Sequence, residues 1–566
     1  MIKRKIYPAA LISSLLVLAG CSKQPEVEEA KPMAKTVTKP VTAPATQSFS
    51  FSVTMAQDNL TFAKDQYLKM ISHVENKQNL YYRPECKQDP SMLCIPRSQE
   101  HGAIFVDKYG KWTNGFFPGV MWKLLSNKDN IQWSSGQEQK LYDSAKYFQQ
   151  ALESDVGRTS THDLGFLLYD SYGEALHYDE LDSKTRQQYS QYLDVGRAAL
   201  ATRFSDEKGL IRSWDWAPHM KLTTIENGEQ KVDLYSLSNP WQFPVIIDNM
   251  MNLEFLFDSD VERYHEIAFS HAKYTLENHY FYDEADKAQQ YPLSYHVFDY
   301  GENKPGNWQG LGNVSAWARG QGWSLYGYLT VVEAMAKTKV DLSKYPDFDN
   351  HLNRLLGSIE HLLGDEYVPY WDFWAARDNA YEYAENVSPD TAIYSGILEL
   401  CAKRLEDHIT PYKGYKPQRL DASLLSDESL KRLQGKKNWY GEDVIQGDKI
   451  VPCGSKPYPA NHQKIPRDTS ASALFASALY QFAIITKDDA KSQKYADLAD
   501  KIMLELTNNY RTDRNQTRKD SLGLGFVLAE ATGNMGSAGE IDTPIVYGDF
   551  YFIEANARKI AYEQRK

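Results

Sequence analysis

Beyond its first 21 residues, the sequence contains no apolar run that approaches the roughly 18 residues a membrane-spanning helix needs. Positive charge is also scarce, because 75 aspartates and glutamates outnumber 63 lysines and arginines and leave a formal net charge of -12 at pH 7. Nucleic-acid-binding proteins normally carry a basic patch, so this balance argues against a nucleic-acid partner. An acidic small ligand is compatible with it, because a few local cationic side chains suffice to bind one.

Cysteine is the next scarce residue, with five in 566 positions. None of them lies near histidines at the spacing of a zinc site. Cys21 is expected to carry a lipid, which leaves four cysteines in an oxidising compartment. Cys86 and Cys94 flank a proline-containing loop and are expected to pair. Cys401 and Cys453 would then pair by elimination, although four cysteines allow three connectivities.

The first residues have the pattern of an export signal. A basic start, Lys3-Arg4-Lys5, precedes the apolar run 9–18. The Leu-Ala-Gly-Cys motif that ends at Cys21 resembles a bacterial lipobox, which implies cleavage before Cys21 and lipidation of its thiol. The protein is therefore expected in the cell envelope, held by lipid alone on a membrane, the outer one by preference. Residues 22–54 are rich in Pro, Lys, Glu, Thr and Ala and are expected to form a disordered tether.

Aromatic residues, in contrast, are abundant at 13% of the chain, with 12 Trp and 38 Tyr. Flat rings with polar tips suit sugars as ligands, but an aromatic-rich core has the same composition. The count therefore raises a carbohydrate ligand as a hypothesis and leaves the decision to the motifs.

Apolar residues recur every three to four positions over most of the remaining chain, and strand-like alternation is scarce. Helices of similar length separated by long loops fit a ring or solenoid of helical hairpins better than a simple bundle. The sequence therefore predicts an all-α domain over 55–566. The predicted helices cover 61–74, 117–125, 139–152, 164–176, 184–202, 244–258, 262–278, 319–336, 347–363, 390–404, 469–486, 492–510 and 549–562.

Asp248 lies in the middle of the apolar stretch 244–257, which is predicted to be a buried helix that begins after Pro244. Asn252, one helical turn later, would share a face with it. An ionised Asp taken out of water costs several kcal/mol unless it is paired, or its pKa rises and it becomes a usable general acid. The alternative is a structural Asp hydrogen-bonded to neighbouring amides.

Two loops before predicted helices carry candidate ligand-binding groups. The run 111–119 contains Trp112, which is either a stacking platform or a core residue at a tight turn. His162 and Asp163 open the next helix, where an Asp can also act simply as an N-cap.

The segment from Trp317 to Trp323 begins a predicted helix with Trp, Arg, two Gly and a second Trp. Such a conflict with helix propensity is expected at functional sites. Arg319 between aromatic rings could clamp a carboxylate with two hydrogen bonds. The alternative is an Arg stacked on Trp for packing alone.

Six motifs in register resemble the unsaturated glucuronyl hydrolases of glycoside hydrolase family 88, over residues 55 to 565. Each motif is short, but their order and spacing agree with the family. They are Trp112-Thr113-Asn114-Gly115-Phe116, His162-Asp163-Leu164-Gly165-Phe166, Ile247-Asp248-Asn249-Met250-Met251-Asn252-Leu253, Trp317-Ala318-Arg319-Gly320-Gln321-Gly322-Trp323, Arg467-Asp468-Thr469-Ser470-Ala471-Ser472-Ala473 and the run from Glu540 to Phe552.

The resemblance implies an (α/α)6 barrel with a pocket for the non-reducing end of an oligosaccharide already cut by a polysaccharide lyase. Such an end carries a 4,5-unsaturated uronic acid. Asp248 matches the family's general acid/base and Asp163 its second essential aspartate, and no metal or organic cofactor is implied. The expected substrate contacts are Trp112, His162, His296, Gln309, Trp317, Arg319, Trp323 and Tyr547.

The residues also suit this chemistry on their own. The unsaturated ring is a vinyl ether, so hydrolysis can start with protonation of C4, after which C5 takes up water. An Asp248 of raised pKa can supply that proton, while Asp163 holds charge and geometry.

The spacing departs from the family in the last third of the chain. In the family, the counterpart of segment 368–373 lies shortly before the Asp-Thr-Ser-Ala helix. In this chain that helix begins near Arg467, roughly 90 residues after the segment. Either a helix within 388–400 takes that place, or about 405–466 is an insertion that covers the rim of the pocket.

Three rival functions stay open at this point. An unsaturated rhamnogalacturonyl hydrolase shares the barrel and the reaction but usually has Asn where this chain has Gln321. A polysaccharide lyase normally needs a Tyr with a basic residue, and no such set is apparent. A glycan-binding surface lipoprotein would use the same lipobox, tether and aromatic residues, but it would not need Asp248 buried beside Asp163.

Overall fold

The computed structural model describes residues 50–215, 222–233, 241–283, 291–377, 420–437, 442–451, 465–535 and 540–565. Helices dominate these ranges, as predicted. Numbered here in chain order, the long ones are α1 Val53–Glu75, α2 Phe116–Ser126, α3 Gln137–Gln149, α4 (π-helical Gly165–Gly173, then Glu174–Leu176), α5 Ser183–Ala201, α6 (the 3-10 segment Ile247–Met251, then Asn252–Phe257), α7 Glu262–Asn278, α8 Ala318–Met335, α9 Phe348–Leu363, α10 Thr469–Ile485, α11 Asp489–Glu505 with a π-helical end Leu506–Tyr510, and α12 Val546–Arg565.

These helices form two concentric rings. The even-numbered helices are inner, each packs on the next, and α12 packs on α2 to close the ring. Each inner helix is backed by an outer one: α3, α5, α7, α9 and α11 follow their inner partners along the chain, and α1 backs α12. This arrangement is the (α/α)6 barrel that the resemblance implied.

The two rings differ in sequence for a physical reason. The inner helix α10 is buried at nearly every position and is rich in Ala and Ser, so that neighbouring helices can approach it from all sides. The outer helix α9 buries only one apolar stripe, and its other face carries polar side chains such as Asn353 and Glu360.

The first turns of neighbouring inner helices meet at one end of the barrel. A Cβ on Gly115, just before α2, would come within 2.0 Å of the Phe166 carbonyl oxygen in α4, and one on Gly548 in α12 would lie 3.3 Å from Ser470 in α10. The N-terminal ends of helices carry partial positive charge, so this end of the barrel favours acidic groups.

Short strands occupy the loops. Leu80–Tyr82, Ala103–Asp107 and Ile95–Glu100 form one sheet in that order, and Lys304–Gly306, Val297–Asp299 and Pro244–Ile246 form another. Two-stranded pairs are Phe204–Ser205 with Leu210–Ile211, Leu222–Glu226 with Glu229–Asp233, and Tyr280–Tyr282 with Pro292–Ser294, and a third three-stranded sheet joins Leu420–Asp421, Lys449–Ile450 and Ile445–Gln446. Short helices are Pro84–Gln88, Asp427–Leu433 and Ser521–Leu524, and 3-10 turns are Trp112–Gly115, Lys128–Asn130, Gln150–Asp155, Leu342–Lys344, Phe373–Ala376 and Ala422–Leu424.

The predicted helix over 244–258 is wrong at its start. Pro244–Ile246 is a strand paired with Val297–Asp299, and the helix follows only after the 3-10 segment. Val245 and Ile246 are β-branched and find a partner strand about 50 residues later, so tertiary pairing overrides the helical spacing.

The structure tests part of the expectations about the cysteines, membrane-spanning helices and the last third of the chain. Cys86 and Cys94 form a disulfide, as expected, whereas Cys21, Cys401, Cys453 and the segment 388–400 lie outside the described residues. Among the helices described, none has the length and apolar character to cross a membrane.

The chain between residues 371 and 466 begins and ends at one point of the barrel. Tyr370 pairs with Arg467, and the Trp371 N–H donates to the Pro466 carbonyl at 3.0 Å. The helix that fills the ring position between α8 and α12 is therefore α10, at Thr469–Ile485. Residues 420–451 include a small apolar core of their own, formed by Leu425, Leu433, Val444 and Ile450.

Candidate active site

Asp248 lies in the first turn of α6 with 6% of its surface exposed. The preceding strand places a histidine beside it, because the Ile247 N–H donates to the His296 carbonyl at 3.0 Å. As a result His296 Nε2 lies 3.8 Å from Asp248 Oδ2.

The hydrogen bonds of His296 determine which ring nitrogen carries the proton. Its Nδ1 accepts from the backbone N–H groups of Trp308 at 3.2 Å and of Gln309 at 3.0 Å, so Nδ1 is unprotonated. Burial and the nearby His279 and Arg319 lower the pKa of His296 well below its ordinary value. The ring is therefore neutral, and its Nε2–H lies on the side of Asp248.

Burial raises the pKa of Asp248 to about 7. The charges of His162 and Arg319 oppose this shift, and the charge of Asp163 adds to it. Asp248 Oδ2 has no hydrogen-bond partner among the described residues. A carboxyl group of this kind holds its proton near neutral pH and can pass it to a ligand.

Asp163 has the opposite character. It precedes α4, keeps 20% of its side chain exposed, and accepts a hydrogen bond from the Thr161 hydroxyl at 2.6 Å. Its Oδ1 lies 3.2 Å from His162 Nε2. Although burial alone would raise it, the pKa of Asp163 is lowered by His162 and by the Thr161 hydrogen bond. At pH values below about 7 the site thus pairs a protonated Asp248 with an ionised Asp163.

Arg319, predicted to clamp a substrate carboxylate, instead makes most of its hydrogen bonds to the protein. Its Nη1 donates to Asp468 Oδ2 at 2.8 Å and to the Thr532 carbonyl at 2.7 Å, and Nη2 donates to the Gly533 carbonyl. The guanidinium lies between the rings of Trp317 and Tyr547, with centroid distances of 4.7 and 5.1 Å. The flanking aromatic residues are therefore Trp317 and Tyr547, and not Trp323 as the sequence suggested.

The three tryptophans predicted to contact the substrate differ in how deeply they are buried. Trp112 is half-buried and packs on Tyr547, with ring centroids 5.1 Å apart. Trp317 packs against His296 at 4.5 Å. Trp323 has no exposed surface, because it lies in the core against Phe166 and Tyr551, so it supports the site by packing and does not face a ligand.

Gln309 and Gln321 hold the loops around the site. Gln309 is half-buried and donates to the Gly533 carbonyl at 2.9 Å, next to Arg319. Gln321 is buried, and its amide exchanges two hydrogen bonds with the backbone of Ser294, at 2.9 and 3.0 Å. Gln321 therefore positions the chain two residues before His296.

Sequence reasoning missed the ion pairs that support these loops. Asp468 is the N-cap of α10 and pairs with Arg319, and an Asp directly before an apolar helix could have indicated a cap. Arg97 binds Glu540 through two hydrogen bonds of 2.6 and 2.8 Å. The partners are 443 residues apart in sequence, so no local pattern could have revealed this pair.

Several buried polar atoms of the site have no hydrogen-bond partner within the described ranges. They include His162 Nδ1, His296 Nε2 and the Tyr547 hydroxyl, besides Asp248 Oδ2. Buried polar groups are normally satisfied, so a cluster of unsatisfied ones indicates a binding site for a polar ligand. Within the described ranges, no group of three or more His, Cys, Asp or Glu side chains is arranged to hold a metal ion.

Comparison with known proteins gives sequence and structure relatives. An unsaturated glucuronyl hydrolase of Formosa agariphila is 27% identical over 472 residues, covering 82% of this chain and 84% of that protein. An unsaturated chondroitin disaccharide hydrolase of Streptococcus pyogenes is 25% identical over 442 residues, covering 74% and 94%. No family model matches the chain.

Solved structures give the same result for the fold. A crystal structure of an unsaturated glucuronyl hydrolase specific for heparin covers 91% of this chain and 99% of its own, with a TM-score of 0.57 at 25% identity. The enzyme of Bacillus sp. GL1 has a TM-score of 0.54 at 16% identity, over 90% and 96%.

The barrel and these relatives define a glycoside hydrolase of the (α/α)6 class. Within that class, the matches support assignment to the unsaturated glucuronyl hydrolases of family 88, in agreement with the six motifs.

Proposed function

We propose that the protein removes the 4,5-unsaturated uronic acid from the non-reducing end of oligosaccharides made by polysaccharide lyases. The observation that carries this function is Asp248, a buried carboxyl group with a pKa of about 7 and an unpartnered oxygen. A glycan-binding protein has no need of a proton donor of this kind. The similarity to two groups of unsaturated-sugar hydrolases supports the same substrate class.

The reaction needs one proton donor and one water molecule. Asp248 gives its proton to C4 of the vinyl ether, which leaves an oxocarbenium-like centre at C5. Water adds at C5 and returns a proton to Asp248. The resulting hemiketal opens and releases the neighbouring sugar, so the net reaction consumes one water and regenerates the acid.

The neighbouring groups suit the charge that develops. Asp163, whose pKa is lowered, is ionised and can stabilise positive charge on the ring. The neutral His296 places its Nε2–H near Asp248 and can stabilise the carboxylate that remains after proton transfer. Trp112 offers an aromatic face to the sugar, and the N-terminal ends of the inner helices favour the acidic group of a uronate.

The absorbance of the unsaturated uronate, expected at about 232 nm, tests the proposal. The substrates are oligosaccharides prepared with lyases from several acidic polysaccharides, with the intact polymers as controls. Loss of absorbance supports the proposed hydrolysis. A gain of absorbance from intact polymer would indicate a lyase, and binding without any change in absorbance would indicate a glycan-binding protein.

The choice between a glucuronyl and a rhamnogalacturonyl substrate needs a separate comparison. Gln321, which distinguishes the two families in sequence, is buried and bonds to Ser294, so we expect it to affect a ligand through the backbone that it positions. Rates on unsaturated oligosaccharides with glucosamine, galactosamine or rhamnose next to the uronate measure this preference directly.

We also propose that the protein is a lipoprotein of the cell envelope, anchored through Cys21. The support is the Leu-Ala-Gly-Cys motif after a basic and apolar start.

A further inference from the structure

A buried asparagine connects the two aspartates of the site. Asn252 lies four residues after Asp248, is 2% exposed, and accepts the Gly165 N–H on its Oδ1 at 2.8 Å. Gly165 lies two residues after Asp163 and is the first residue of α4. One hydrogen bond therefore joins the segment that carries Asp248 to the segment that carries Asp163.

The orientation of the Asn252 amide is determined by its neighbours. The Gly165 N–H can only donate, so the atom facing it is the oxygen. The Asn252 amide nitrogen donates to Asn249 Oδ1 at 2.7 Å, and Asn249 donates to the Ile211 carbonyl at 2.7 Å. These buried hydrogen bonds leave Asn252 no second orientation of equal energy.

Asn252 also lies so close to Gly165 that position 165 has no room for a side chain. A Cβ on Gly165 would lie 2.8 Å from Asn252 Oδ1 and 3.2 Å from the Met251 carbonyl. Gly165 is also at the start of a helix, where an N–H has no partner within the helix itself. Asn252 supplies that partner, and α4 continues from this point as a π-helix, a conformation frequent at functional sites.

We infer that Asn252 is a positioning residue that sets the distance between the proton donor Asp248 and the charged Asp163. The inference rests on the proposed function for its kinetic consequence. Asp163 influences the pKa of Asp248 through its charge, so the two groups are electrostatically coupled. A shift of one segment against the other changes both the coupling and the geometry of proton transfer.

Three variants test this role. Asn252→Ala removes the hydrogen bond, and Asn252→Asp keeps the acceptor for Gly165 but loses the donor to Asn249. Leu256→Ala is the matched control, because Leu256 is fully buried on the same helix and takes no part in the link.

For Asn252→Ala we expect kcat to fall about ten- to hundredfold with KM changed less than about threefold, as for a misplaced catalytic group. Asn252→Asp should recover part of kcat. Its added negative charge near Asp248 should move the alkaline limb of the pH–rate profile to higher pH. Leu256→Ala should lower Tm but leave the profile unchanged.

Equal losses of kcat in Asn252→Ala and Leu256→Ala at equal loss of Tm would overturn the inference and leave Asn252 a core residue. Crystal structures of the parent and Asn252→Ala give a test that does not need turnover. They should show Asp163 displaced relative to Asp248, and superimposable aspartates would also overturn it. A parent enzyme without turnover would count against the proposed function alone, and the crystallographic comparison would still decide on Asn252.

Discussion

Arg319 Nη1 donates to Asp468 Oδ2 over 2.8 Å inside the barrel, and the two side chains are 1% and 0% exposed. This pair joins the first turn of α8 to the N-cap of α10, and Arg319 also holds the carbonyls of Thr532 and Gly533. The sequence suggested a ligand clamp, but the structure commits most of the guanidinium to the protein.

Arg319→Lys is therefore expected to act first on stability. Lysine keeps the charge but cannot reach Asp468 and two carbonyls with a planar fork. Removal of one partner of a buried ion pair costs about 3 to 5 kcal/mol in the free energy of unfolding. Because lysine keeps the charge, we expect a smaller loss, which urea denaturation measures. Arg263→Lys, at an exposed pair with Asp206, is the control and should change it by less than about 0.5 kcal/mol. A raised KM with unchanged stability would instead support the hypothesis that Arg319 binds the substrate carboxylate.

Asp248→Asn is expected to lower kcat by at least a factor of about 1000, because an amide of the same size cannot deliver a proton. Glu254→Gln is a matched control: burial also raises the pKa of Glu254 to about 7, and it lies on the same helix but away from the site. The control should keep most of its activity. Turnover of Asp248→Asn within tenfold of the parent would refute the assignment.

The same variant has a predictable effect on stability. The folded-state pKa of Asp248, about 7, lies above the unfolded value of about 4, so the parent loses stability as pH rises through this window. An amide does not titrate. At pH 8 we therefore expect Asp248→Asn to unfold at higher temperature than the parent, and at pH 4 to show little difference.

The pH dependence of kcat/KM follows from the two aspartates. Activity requires a protonated Asp248, so kcat/KM should fall tenfold per pH unit above about 7. Asp163, with its lowered pKa, stays ionised, and an acid limb should appear only below the pH range in which an ordinary aspartate titrates. A profile that rises through pH 7 would show that Asp248 acts as a base in the first step.

Acid stability should depend on His271, which is fully buried and accepts the Ile211 N–H on Nδ1. Burial lowers its pKa to about 3, so the unfolded chain binds a proton first and stability falls between about pH 6.5 and 3, by about 1.4 kcal/mol per pH unit. His271→Asn keeps a hydrogen-bond acceptor for the Ile211 N–H but does not titrate. It should therefore reduce the slope of unfolding free energy against pH by the contribution of one proton.

Cys21→Ser is expected to move the protein from the membrane fraction to the soluble fraction with activity retained, because the sequence predicts a disordered tether between the proposed anchor and the barrel domain. Cell fractionation followed by the absorbance assay measures both. Val195→Ser, at an exposed position of the barrel domain, is the control and should change neither the location nor the activity. Continued membrane association of Cys21→Ser would contradict the lipobox.

The sequence alone was sufficient for those features that depend on neighbouring residues. The period of three to four apolar positions predicted most of the barrel helices, and the isolation of Asp248 in an apolar stretch predicted its burial. These properties depend on local spacing and on the cost of burying charge, so they can be predicted from a single chain.

Only the tertiary structure decided which distant groups pair with each other. Arg319 finds its partner 149 residues away, and Pro244–Ile246 becomes a strand because a second strand pairs with it. The proton position on His296 depends on two backbone amides a dozen residues later. Pairings of this kind arise when distant segments pack against each other, and the energy of that packing outweighs the local preferences on which a sequence prediction depends.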